Sequence, residues 1–216
     1  MKKTLFTFSV ILASLSLFAQ TSDSLKDEIK EIQKKAKLTF NEGVRFTIDE
    51  KYTEAHLKFD EALFLLPEYD LPYLERAKIK ILNQEFDLAM NDIAKAIEIN
   101  EEQGEAFYVR GYMKLLMKDY QNALTDFTRA IQKGYTEAEA YYFRGLMYFE
   151  LSDFNSALID FTLAIDKKYD FAYAFNERGS SKRMLGDYHG AIHDYIQSLS
   201  YDSTIFLVFT SGLSWL

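Results

Sequence analysis

The stretch YYFRGLMYFELSDFNSALIDFTLAI, residues 141–165, decides the fold. It is densely apolar, with one glycine in mid-run and a single polar break at Ser152-Asp153. Residues 107–131, FYVRGYMKLLMKDYQNALTDFTRAI, nearly reproduce it 34 positions earlier. Residues 175–199, FNERGSSKRMLGDYHGAIHDYIQSL, do so 34 positions later. A fixed period of this size marks an array of supersecondary units, so function has to be sought in the array.

With Ala36 as position 1, five units follow without insertion or deletion: 36–69, 70–103, 104–137, 138–171 and 172–205. Position 20 is alanine in all of them (Ala55, Ala89, Ala123, Ala157, Ala191). Position 8 is small (Gly43, Ala77, Gly111, Gly145, Gly179), and position 27 is Ala62, Ala96, Ala130, Ala164 and Ser198. Position 17 is always aromatic, and position 24 is Phe59, Ile93, Phe127, Phe161 and Tyr195. Positions 20, 24, 27 and 28 share one face of a 3.6-residue helix, and positions 4, 8 and 11 share one face of an earlier helix. Small residues let the two backbones approach, and large ones fill the space beside them. Polar residues near position 16, as in Lys118-Asp119 and Gly186-Asp187, mark the turn and cap the second helix. One such hairpin cannot bury its own apolar face, so the expected fold is an all-α solenoid of five stacked helix-turn-helix units.

These residues resemble the tetratricopeptide repeat: period 34, a small position 8, alanine at 20 and 27, and a mostly aromatic position 24. The resemblance spans residues 36–205. Departures occur. The family's tryptophan at position 4 is replaced by Thr39, Tyr73, Phe107, Tyr141 and Phe175. Its proline at position 32 survives only as Pro67, and position 11 is lysine in three units but Phe46 and Tyr148 in the others.

The chain outside the array reads differently. Lys2 and Lys3 precede an apolar run, Leu5 to Phe18, that ends at Ala19-Gln20, the layout of a secretory signal peptide over residues 1–19. The run is shorter than the about 20 residues of a spanning helix, so no integral membrane span is expected after cleavage. The MKK start and the Phe-Ala-Gln junction resemble signal peptides of the Bacteroidota, which implies an exported, periplasmic or secreted protein. Residues 20–35 form a helical lead-in; Leu25, Ile29, Ile32 and Ala36 step by helical spacings, and Ser24 is a candidate cap for one helix over 24–48. The apolar tail 206–216 is expected either to fold back as a partial capping helix or to belong to a longer array.

Composition removes several function classes. The 216 residues contain no cysteine, which excludes disulfides and thiolate chemistry. Without Lys2 and Lys3 the chain holds 23 basic and 33 acidic residues, a formal charge of -10, which repels nucleic acid. His189 and His193 have a metal-binding spacing but lack a third ligand at matching spacing, so they read as a solvated helix face. No catalytic, cofactor-binding or metal-ligating residue is assigned.

Two other features stand out. Position 7 is Glu42, Arg76, Arg110, Arg144 and Arg178, and position 23 is Lys58, Asp92, Asp126, Asp160 and Asp194. Both signs swap together in the first unit, which points to a structural ion pair within each unit. The family resemblance also implies that positions 2, 5, 6, 9, 12 and 13 line a concave inner surface. In units three and four this carries over to Tyr108, Val109, Tyr112, Leu115, Tyr142, Phe143, Leu146 and Phe149, with Glu75, Glu105, Glu139, Glu150 and Glu177 around them. An aromatic strip with an acidic rim suits a protein or peptide partner carrying basic residues beside an apolar centre. The family's clamp for chaperone carboxylates is not matched, because Phe40, Val44, Glu75, Glu105 and Val109 occupy its positions. The expected function is a protein-interaction scaffold in an envelope-associated assembly. The alternatives are a spacer that uses helix edges and tail, or an accessory domain of an enzyme complex.

Overall fold

A computed structural model describes the backbone of residues 2–202 and the side chains of residues 24–202; the tail 206–216 lies outside the described residues. The elements in chain order are α1 (Lys2–Ile48), α2 (Tyr52–Leu65), α3 (Asp70–Leu82), α4 (Phe86–Ile99), α5 (Gly104–Leu116), α6 (Tyr120–Gln132), α7 (Ala138–Glu150), α8 (Phe154–Lys167), α9 (Ala172–Met184) and α10 (Tyr188–Tyr201). The fold is all-α, with helices packed as antiparallel pairs. Helix α1 begins far upstream of Ser24, so Ser24 is not its cap. No glycine or proline precedes Gly43, and nothing in the sequence interrupts helix propagation there.

The chain divides into two compact units, one ending at Ile79 and the other starting at Lys80, inside α3. In the first, α1 packs on α2 around Phe40, Ala55, Phe59, Ala62 and Ile79. In the second, each helix from α4 to α10 packs on the next, and first helices α5, α7 and α9 alternate with second helices α6, α8 and α10. The periodic residues form the core. Phe59, Phe127 and Phe161 at position 24 are fully buried, each contributing about 1.5–3 kcal/mol of transfer free energy. They lie where position 8 has no side chain: a Cβ on Gly145 would fall 2.8 Å from the Phe161 ring. Ser198 takes the alanine place at position 27 and satisfies its hydroxyl by donating to the Ala172 carbonyl at 2.8 Å.

The turn inside each pair repeats as closely as the core. Position 15 has positive φ in every unit: 58° at Glu50, 63° at Gln84, 61° at Lys118, 64° at Ser152 and 86° at Gly186. The following N–H reaches back to the carbonyl of position 11, as in Asp119 to Lys114 at 2.9 Å and Asp153 to Tyr148 at 2.8 Å. This is the left-handed closure that satisfies the last carbonyls of a helix. Capping of the second helix by position 16 is more selective. Asp153 accepts from the Ser156 N–H and Asp187 from the Gly190 N–H, but Asp119, Glu85 and Lys51 make no such bond.

Candidate interaction face

Ion pairs fix how first and second helices meet. Arg110 donates from Nε and Nη2 to Asp126 at 2.8 and 2.7 Å, and Arg144 does the same to Asp160 at 2.6 and 2.7 Å. Arg178 forks onto Asp194 at 2.8 Å through both nitrogens. In the first unit the reversed pair lies together, with Lys58 2.9 Å from Glu42. Arg76 donates to Asp60, a partner the periodic reading did not anticipate. Asp92 accepts from Lys80 at 2.7 Å.

The lysines at position 11 are also part of this network. Lys114 lies 2.7 Å from Asp126, and Lys182 lies 2.8 Å from Asp194, so each of these buried carboxylates holds two cations. Burial alone would raise the Asp194 carboxyl; hydrogen bonds from Arg178 and Lys182 reverse this and hold it below its ordinary value. Unit four has Tyr148 at position 11, and Arg144 is the cation that faces Asp160. The rings at position 4 sit under the guanidinium groups: Arg110 is 5.2 Å from the Phe107 centroid and Arg178 is 5.3 Å from Phe175. The family's tryptophan is thus replaced by rings that still stack on a cation.

The expected binding residues divide. Val109 is buried at 5% exposure and belongs to the core, not to a surface; the helix face at position 6 turns inward there. Phe143 is a packing residue as well, stacked on Phe127 with planes 14° apart. Tyr108, Tyr112, Leu115 and Leu146 are half-buried against the cluster of Ala123, Phe127 and Met147. Tyr142 packs on Phe161 and Phe171, with centroids 5.9 and 4.9 Å away, and Phe149 meets Phe154 edge-on. These rings therefore serve as packing between helices and as a partly open aromatic face at once. Burial pushes the Tyr108 and Tyr142 phenols well above their ordinary range, with neighbouring acidic groups adding to it.

One residue of this face was overlooked. Tyr173 occupies inward position 2 of unit five and is 52% exposed. Its position number was enough to place it. It lies one helical turn before Glu177 on α9 and close enough to Tyr142 to affect its phenol.

His189 and His193 are exposed on α10, and His193 has only a 3.8 Å approach to Asp194. Among the described residues no group of three histidine, aspartate or glutamate side chains could hold a metal, and no helix is long and apolar enough to cross a membrane.

Helix pairs in phase, a buried charge network in their seams and an aromatic face on the first helices define a helical-repeat fold. A family model of the tetratricopeptide repeat matches residues 138–166, the fourth unit. No curated protein matches the sequence. Solved structures with the same fold include PilW, a widely conserved type IV pilus biogenesis factor (19% identity over 77% of each chain, TM-score 0.69). Another is YrrB, a TPR protein with an unusual peptide-binding site (18% identity, 81% of this chain and 90% of that one, TM-score 0.65). A third is MamA from Desulfovibrio magneticus RS-1 (19% identity, 79% and 96%, TM-score 0.67). The repeat match and these folds support tetratricopeptide repeats in this chain.

Proposed function

We propose that the chain is a non-catalytic scaffold that binds a protein or peptide segment on the face formed by α5, α7 and α9, as a component of an envelope-associated assembly. The observation that carries this reading is the run of half-open tyrosines, Tyr108, Tyr112 and Tyr142, continued by exposed Tyr173. Tyrosine offers large contact area with few rotatable bonds and keeps a hydroxyl for water or a ligand. YrrB, a protein of the same fold, has a peptide-binding site, which supports the same use of the fold here.

The test must spare the packing role of the rings. Tyr108→Phe and Tyr142→Phe keep the ring contacts and remove the hydroxyls, and Tyr173→Ala truncates an exposed ring. The triple variant should keep its helical circular dichroism and lose at least about tenfold in affinity for a partner captured from the native envelope, roughly 1.4 kcal/mol. Unchanged affinity would reject this face. Export belongs to the same reading: the mature chain is proposed to begin at Gln20, and recovery of intact Met1 from a cytosolic fraction would reject it.

A further inference from the structure

Glu177 is a carboxylate set into the interaction face without a cation. It lies on α9, half-buried, and its hydrogen-bond partner is the side-chain amide of its neighbour Asn176, which donates to it at 3.1 Å. No lysine, arginine or histidine pairs with it among the described residues. That amide is committed at a cost: the Asn176 carbonyl oxygen is enclosed and accepts from no donor among the described residues. An unpaired carboxylate and an unsatisfied amide side by side are an expensive arrangement to keep in a folded chain.

The same repeat position shows what is missing. Glu75 is the position 6 residue of unit two, and Lys78, three residues on, sits 2.7 Å from it. In unit five the residue three after Glu177 is Ser180, too short and uncharged to do this. Two rings lie near Glu177: Tyr142 of α7, whose phenol feels the Glu177 charge, and exposed Tyr173 one helical turn earlier on α9. Glu150 adds further negative potential and, after burial itself, helps to hold the Glu177 carboxyl above its ordinary range. A carboxylate beside aromatic faces suits an organic cation, because the charge pairs with the acid while the stem and the π-faces exclude water.

We infer that Glu177, with Tyr142 and Tyr173, is a subsite for a lysine or arginine side chain of the bound segment, which takes the place that Lys78 holds beside Glu75. Binding pairs the carboxylate with the incoming ammonium or guanidinium and relieves it of its place beside the aromatic rings without a countercharge. This rests on the reading of α5, α7 and α9 as a segment-binding face and adds its charge selectivity.

A randomised nonapeptide library, incubated with the native chain and with Glu177→Gln, tests it. Selected peptides should be enriched in apolar residues with arginine or lysine at one fixed register. In Glu177→Gln the basic preference should vanish while the apolar one persists, and Glu98→Gln, at an exposed glutamate paired with Lys95 on α4, should leave both intact. Resynthesis of one selected peptide with citrulline in place of arginine should cost the native chain at least about tenfold in affinity and cost Glu177→Gln almost nothing. Apolar enrichment without a basic register, or a basic register that survives Glu177→Gln, overturns the subsite and leaves the face standing. Failure to select any peptide overturns both. Circular dichroism confirms the fold of each variant, and Glu177→Gln removes a buried charge, so unfolding is not its expected outcome.

Discussion

Arg144 grips Asp160 at two points, Nε to Oδ2 at 2.6 Å and Nη2 to Oδ1 at 2.7 Å, and Asp160 is buried to 2% exposure. The fork joins α7 to α8 across the same seam where Phe161 fills the space over Gly145. Its counterpart at Asp126 is shared between Arg110 and Lys114. Among the described residues, Asp160 is thus paired with one cation where Asp126 is paired with two.

Arg144→Ala leaves a buried carboxylate uncompensated and should cost about 3 kcal/mol. Arg110→Ala leaves Lys114 in place and should cost clearly less. Urea unfolding of the two variants measures the difference. Equal costs would show that Lys114 contributes nothing to holding Asp126.

The turn residues offer a gain instead of a loss. Lys118 and Ser152 hold φ of 61° and 64°, a region that costs a residue with a Cβ about 1–2 kcal/mol. Gly186 already fills the same position in unit five. Lys118→Gly removes the Cβ strain, and after the greater entropy of glycine in the unfolded chain it should raise stability by roughly 0.5 kcal/mol. A melting temperature that falls instead would mean that the Lys118 side chain has a role of its own.

The repeat architecture was legible because it is overdetermined. Five alanines at position 20 and four at position 27 report close helix approach directly, and every one of these positions is buried to 2% exposure or less. The charge swap at positions 7 and 23 was legible for a similar reason, since Glu42 and Lys58 change sign together. Position 11 was not legible. Lys114 and Lys182 looked like departures from a family pattern, and only the three-dimensional closeness of position 11 to position 23 shows them as second cations. The face was legible in outline alone. The period says which side of α5 and α7 a residue occupies, but whether Val109 is core and Tyr112 half-open depends on how far each neighbouring helix reaches. The left-handed turn residues Glu50, Gln84 and Lys118 carry no sequence signal, because the local turn accepts strain that glycine would avoid.

Glu177 predicts a pH dependence with a definite sign. Burial raises its folded carboxyl, the Asn176 amide lowers it in part, and Glu150 raises it again. A carboxyl raised on folding binds its proton more tightly in the folded state, so its cost to stability is full above the folded value. That cost fades as pH falls towards the unfolded value, about 4.3. Glu177→Gln should therefore be more stable than the native chain at neutral pH, and the gap should close on acidification. Denaturant midpoints of both proteins across that range measure it. A gap that widens in acid would place Glu177 among the stabilising carboxylates.

Amide hydrogen exchange of the native chain, with and without a nonapeptide selected from the library, locates the bound segment on the helices. New protection is expected on the first helices, concentrated around Tyr108 and Tyr112 on α5, Tyr142 and Leu146 on α7, and Tyr173 and Glu177 on α9. Protection confined to α6, α8 and α10, with the first helices unchanged, would contradict it.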